Sequence, residues 1–151
     1  MLRATTIGLL AFAAASVAVS IVLWQGVALT AGWDTAERLV PAGNAHLVEE
    51  AWLGLYQPWR DPVFWLGVIG NAVVPIATAT IVSAKLDRRA PFAVAALGLL
   101  AQAFLNRDAF DSEFPAVIRA VLLVEICVVA VAGFTLAAAS KMRATRSRIG
   151  A

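Results

Sequence analysis

The sequence predicts an all-α membrane protein, a bundle of four transmembrane helices with a short amphipathic helix in the first outer loop. Three observations predict it. Of the 151 residues 61% are hydrophobic and 15% are charged, against about half and about a quarter in soluble chains, and the mean hydropathy is +0.81. The charges fall in a few short clusters separated by long uncharged runs. The sign of those clusters alternates along the chain, which soluble folds have no reason to do.

About 20 apolar residues cross a bilayer. The first span is the uncharged run from Ala4 to Ala31. Arg3 precedes it and Ala18-Val19-Ser20 has the small residues of a signal cleavage site, but the run continues through Ile21-Val22-Leu23-Trp24, which favours an uncleaved anchor. The second span is Pro62 to Ala84, with Trp65 near its start. The third, Ala90 to Leu105, is short and needs flanking residues or little tilt. The fourth, Phe114 to Ser140, alone carries charges, Arg119 and Glu125. The whole chain reads as a single membrane domain, 1–151, ending in a basic tail over 141–151.

Basic residues in short loops stay on the cytoplasmic side. Arg3 lies before the first span, Lys85, Arg88 and Arg89 against Asp87 lie between the second and third, and Lys141, Arg143, Arg146 and Arg148 follow the fourth. The other two connections are acidic. Residues 32–61 carry Asp34, Glu37, Glu49, Glu50 and Asp61 against Arg38 and Arg60, and residues 106–113 carry Asp108, Asp111 and Glu113 against Arg107. Both termini are therefore expected in the cytoplasm, and the chain in the plasma (inner) membrane as a multi-pass protein.

The outer loop 32–61 is longer than a minimal helix connection and is expected to carry structure. Asn44 is placed to cap a helix in which Leu47, Val48, Ala51, Trp52, Leu55 and Tyr56 recur at three- and four-residue steps, with Glu49 and Glu50 opposite. Pro58 and Pro62 bracket Trp59-Arg60-Asp61 and predict a sharp turn into the second span.

Net charge +2 and a pI of 9.2 do not imply nucleic acid, because four of the twelve basic residues sit in the tail beside a span, where anionic lipid headgroups are the nearer partner. Cys127 is the only cysteine, so no intramolecular disulfide forms, and on an apolar helix it reads as a small buried hydrophobe. His46 is the only histidine. Neither a two-histidine haem nor an ordinary zinc or copper site can be assembled, so no metal and no cofactor is expected.

A carboxylate in the bilayer interior is costly unless hydrated or paired, which makes Glu125 the leading functional residue. It falls eleven positions after Phe114, about 16 Å down a helix. Arg119 is six residues earlier, and at about 100° per residue the two do not share one face, so each needs a partner elsewhere. Asn71 on the second span, Gln102 on the third and Gln25 on the first fall at compatible heights and complete an outward-facing polar pocket. Each amide serves equally as interhelical glue, at about 0.6 to 2 kcal/mol per hydrogen bond. Pro75 is expected to kink the second span below Asn71 and widen the cavity. Trp24, Trp33, Trp52, Trp59 and Trp65 all map to the outer side. Such asymmetry suits either interfacial anchoring or a lid over the pocket; Trp52 and Trp59 join the substrate-binding set on that ground, and His46 of the same outer loop is counted with them.

One long first span, an outer loop with a short helix, and three further spans with an arginine near the start of the last, in Val117-Ile118-Arg119-Ala120-Val121, make up a layout with two notable segments. These are Tyr56-Gln57-Pro58-Trp59-Arg60-Asp61-Pro62 and Leu105-Asn106-Arg107. The arrangement resembles the small four-helix anthrone oxygenase-like membrane family, and small DoxX-like proteins share the outline. The resemblance implies a four-helix fold and, through characterised members, cofactor-free oxygenation of polyketide anthrones.

Three function classes fit these residues. In the first, a membrane enzyme or binding protein takes an apolar aromatic or isoprenoid-like molecule, with Glu125 as proton acceptor or donor and Arg119 holding a developing oxyanion. In the second, the chain is an accessory subunit of a larger membrane complex or a homo-oligomer, with Ala11, Ala14, Ala15 and Ala18 suited to close helix contact. The third, a transporter, is disfavoured by the lack of an internal repeat.

Overall fold

The computed structural model describes residues 1–40, 44–110 and 113–149, with side chains for all of these except 108, 109 and 143–149. The segment 41–43, the acids at 108 and 111, and the side chains of Arg143, Arg146 and Arg148 thus lie outside the described set. Every regular element described is helical. The elements are α1 (Leu2–Ala31), α2 (Trp33–Ala36) running into a 3-10 turn (Glu37–Leu39), α3 (Ala45–Trp52), a 3-10 turn (Pro58–Arg60), α4 (Pro62–Val68), a π turn (Ile69–Val73), α5 (Val74–Leu86), α6 (Ala90–Leu105), a 3-10 turn (Arg107–Phe110) and α7 (Ala116–Ile149).

Three helical stretches are long and apolar enough to cross a membrane: Leu2–Ala31, Pro62–Leu86 and Ala116–Met142. Ala90–Leu105 is apolar but shorter. Asp61 starts the second stretch, its carboxylate accepting from Val63 N at 2.9 Å, with Pro62 in the first helical position where no N–H is needed. Within this stretch Val74 N–H reaches back five residues to Ile69 O. Pro75 follows directly and has no N–H to give, so the chain meets it with a π turn, the form the expected irregularity takes.

The core is layered along α7. Ile76, Ala79, Val94 and Val129 gather with Phe12 and Ala72 in one cluster, Phe64, Val68 and Val121 in the next, and Leu47, Ala51, Tyr56, Ile118 and Leu122 in the last. Helices α6 and α7 run antiparallel. A Cβ at Gly133 would meet Ala95 at 3.2 Å, and counting along both helices brings the end of α6 level with the stretch from Leu122 to Glu125. Beyond that level α3 and Tyr56 supply the packing that α6 no longer gives to Ile118 and Leu122.

The short helix forms as the sequence suggests at its start and differs at its end. Asn44 caps α3, its side-chain oxygen accepting from His46 N at 2.9 Å and Leu47 N at 3.3 Å. The apolar periodicity runs to Tyr56, yet the helix stops at Trp52. Gly54 adopts φ 71, and Gly54 N and Leu55 N return to Ala51 O and Glu50 O at 3.2 and 2.9 Å, a left-handed cap that only glycine enters cheaply. This reversal takes Tyr56 off the helix and turns it inward.

Candidate functional site: a polar cluster at the end that carries α3

On α7 the buried positions Ile118, Val121, Leu122 and Val129 define one face. At about 100° per residue Glu125 falls within that face and Arg119 lies about 120° round from it. Glu125 is therefore turned toward the interior and partly buried. The polar group that approaches it is the side-chain amide of Asn106, at the residue that ends α6. Asn106 Nδ2 nonetheless completes no hydrogen bond of acceptable geometry among the described residues.

Two further polar atoms are buried without a hydrogen-bond partner among the described residues, Tyr56 Oη and Arg119 Nε. Tyr56 is 8% exposed and packs on Ile118 and Leu122, which lie about two turns and one turn before Glu125. Burial pushes its hydroxyl pKa well above the ordinary tyrosine value, and the nearby Asp61 carboxylate adds to the effect. Tyr56 is thus a hydroxyl donor throughout the neutral range. Three buried donors lack a completed hydrogen bond among the described residues, and of these Asn106 Nδ2 is the one that approaches Glu125; packing alone does not favour this, since each unmet group costs about 1 to 3 kcal/mol.

Tyr56 also lines a cavity of about 340 Å³ that opens at this end of the molecule, between Leu47, Glu50, Gln57, Arg60 and Asp61. Its rim is charged. Arg38 Nη1 reaches Asp61 Oδ2 at 3.3 Å, which ties the 3-10 turn after α2 to the start of α4. The cavity therefore has a polar mouth, an apolar wall in Leu47 and Leu55, and Tyr56 as its link to the packed layer of Ile118 and Leu122.

The residues singled out from sequence divide. Glu125 is met by Asn106, whereas Arg119 lies six residues earlier on another face of α7, its Nε buried. Gln102 is buried on α6 one turn before Asn106. Asn71 sits on the π turn, and its carbonyl accepts from Ser20 Oγ of α1 at 3.1 Å, so it joins helices and is not the group that meets Glu125. Gln25 lies on the exposed side of α1, about 200° round from Leu23 on the helix wheel. His46 is exposed, its Nε2 3.2 Å from Glu50 Oε1. Trp52 is exposed at 61% on the far side of α3 from Leu47 and Ala51. Trp59 packs edge-on to Phe64 at 5.7 Å, and its carbonyl accepts from Trp65 Nε1 at 3.2 Å, which makes it a brace for the turn into α4. Sequence reasoning overlooked Tyr56 and Asn106 as site residues. Tyr56 is the only tyrosine of the chain, between a helix-stopping glycine and a proline, and Asn106 is the first polar residue after an apolar run; those are the signals that mark them.

No protein-family description, no curated protein and no solved structure matches this chain.

Proposed function

We propose that the chain is a small polytopic membrane protein that binds an amphipathic small molecule, an apolar aromatic or isoprenoid-like body with a hydrogen-bonding head, at the end that carries α3. The observation behind this reading is the set of buried donors without a completed hydrogen bond among the described residues, Tyr56 Oη, Asn106 Nδ2 and Arg119 Nε, with Asn106 at the Glu125 carboxyl and Tyr56 in the wall of a cavity of about 340 Å³. The lining of this cavity is mostly polar and charged, with Leu47, Leu55 and Pro62 as its apolar part, which suits the hydrogen-bonding head of such a ligand more than its body. Where the bound molecule reacts, Glu125 is the group that takes or gives the proton and Arg119 the cation that stabilises a developing oxyanion. The resemblance of the sequence layout to the anthrone oxygenase-like family is what suggests an aromatic ligand and, with it, a cofactor-free oxygenase-like activity.

In this reading four segments cross the bilayer, as a four-helix bundle. The sixteen residues of α6 span about 24 Å, short of a hydrocarbon core of about 30 Å, and Arg89 and Asn106 at its two ends make up the difference at the headgroups. The balance of basic residues places both termini in the cytoplasm and the α3 end outside, in the plasma (inner) membrane.

The experiment is purification in mild detergent followed by mass analysis of what accompanies the chain. A monomer or small homo-oligomer is expected, releasing an apolar small molecule on denaturation. Glu125→Gln, which keeps the shape and removes the acid, is expected to abolish that retention while expression holds. The competing reading, an accessory subunit, draws on the outward side of α1, where Leu10, Val17, Ile21 and Leu29 are exposed. It prevails if a larger assembly co-purifies and Glu125→Gln or Arg119→Leu detaches the chain from it, since breaking a buried charge pair costs about 3 to 5 kcal/mol.

A further inference from the structure

The opposite end of the molecule holds a second cavity, of about 390 Å³, between α5 and α7. Its wall is apolar, formed by Ile81, Ala84, Leu136 and Ala139, and it closes on Lys85 and Ser140 at the level where both helices leave their apolar stretches. The hydroxyls beside it are already committed to their own helices, Thr80 Oγ donating to Ile76 O at 2.7 Å and Ser140 Oγ to Ala137 O at 2.8 Å. Lys85 is the one charged group of the lining.

The carboxylate nearest in sequence is not offered to that lysine. Asp87, on the turn between α5 and α6, holds the N-terminal ammonium at 2.8 Å through Oδ2, while its Oδ1 accepts from Arg89 N at 2.9 Å. Both oxygens are therefore engaged. Arg88 and Arg89 are exposed on the same turn, so this end presents an excess of positive charge around an apolar slot.

We infer that the α5–α7 cavity is a binding site for one anionic phospholipid, with an acyl chain against Ile81 and Leu136 and the headgroup phosphate on Lys85. Charge complementarity selects the anionic class, since each lysine or arginine near a charged lipid surface adds about 1 kcal/mol. The apolar slot requires a lipid and not a soluble phosphate. This inference shares with the proposed function only the embedding of the chain in a bilayer; the two sites lie at opposite ends, and neither needs the other.

The test is native mass spectrometry of the full chain from detergent supplemented with equal amounts of phosphatidylglycerol and phosphatidylcholine of matched chains. One phosphatidylglycerol is expected to be retained in preference. Lys85→Gln should lower that preference about fivefold and leave phosphatidylcholine unchanged, Lys85→Arg should keep it, and Ala84→Phe, which fills the slot, should remove retention of both lipids. Arg88→Gln, on the open turn, should have little effect; an equal loss there means diffuse attraction to the surface and overturns a defined site. Competition by glycerol phosphate as strong as by the lipid also overturns it, because the acyl chain would then contribute nothing. Equal retention of the two lipids by the unaltered chain overturns it as well.

Discussion

Gly67→Ala probes how the turn Glu37–Leu39, which brings Arg38 to the cavity rim, is held against α4. Gly67 lies on α4 where the backbone of the turn Glu37–Leu39 crosses it, and a Cβ there would stand 2.5 Å from Leu39 O and 3.1 Å from Leu39 Cα. The obstructing atoms are main chain, so no side-chain rotation relieves the overlap, and the turn itself has to shift by several tenths of an ångström. Overpacking of this kind costs about 1 to 3 kcal/mol, which for a chain of this size lowers the apparent unfolding midpoint by roughly 3 to 10 °C. The same shift moves Arg38, which sits on that turn and pairs with Asp61 across the cavity rim, so ligand retention should fall together with stability. Gly26→Ala is the matched control. A Cβ at 26 meets nothing within 4 Å, and removing a glycine from a helix interior stabilises it by up to about 1 kcal/mol. Circular dichroism melts of the three proteins in one detergent decide the matter, and a Gly67→Ala melt at or above that of the unaltered chain would refute the close approach.

Three further outcomes are expected. Asn44→Ala removes the cap of α3 and with it the hydrogen bond from Asn44 Nδ2 to Glu37 Oε2 at 2.6 Å; a cost of about 1 kcal/mol should appear as faster amide exchange over 45–52 with the spans unchanged. Tyr56 reports its own burial because it is the only tyrosine. Its hydroxyl pKa is raised in the fold, so its contribution to stability is whole below the ordinary value of about 10 and is lost as pH rises beyond it, and tyrosinate absorbance should appear only above that value; normal titration would place Tyr56 in water. Asp87 is shifted the other way, its carboxyl held below the usual carboxylate range first by the N-terminal ammonium and then by Arg89 N–H. The pin on the N-terminus is therefore intact above the ordinary carboxylate range and released as pH falls through the lowered value, and Asp87→Asn should produce at neutral pH the same rise in exchange of the first residues; a silent substitution would dismiss the pin.

Much of the helical layout is legible in the sequence because uncharged runs leave the chain few alternatives: Leu2–Ala31, Pro62–Leu86 and Ala116–Met142 follow them closely. The end of α3 is not legible from periodicity, since Leu55 and Tyr56 continue the apolar pattern and only the positive φ of Gly54 breaks it. Glu125 and Arg119 stand out because charges in apolar runs are costly. Their surroundings do not, because the height of the end of α6 against α7 is a tertiary fact, and that height is what brings Asn106 to Glu125. Asn71 shows the reverse case. Its type and depth match a pocket lining, yet a serine on α1 lies within hydrogen-bond reach, and nothing in the local sequence announces which helix will be beside it.

The site itself is tested most directly by photolabelling the chain in bilayer nanodiscs with a trifluoromethyl-phenyldiazirine that carries a hydroxymethyl head, in parallel with its headless analogue. The headless compound is expected to label exposed apolar positions such as Leu10, Val17 and Ile21 of α1. The hydroxymethyl compound is expected to place its additional adducts on the peptides that hold Leu47 to Gln57 and Asn106 to Glu125, and to lose them in Glu125→Gln. Identical label maps for the two compounds, with nothing added near Tyr56 or Glu125, would contradict the account.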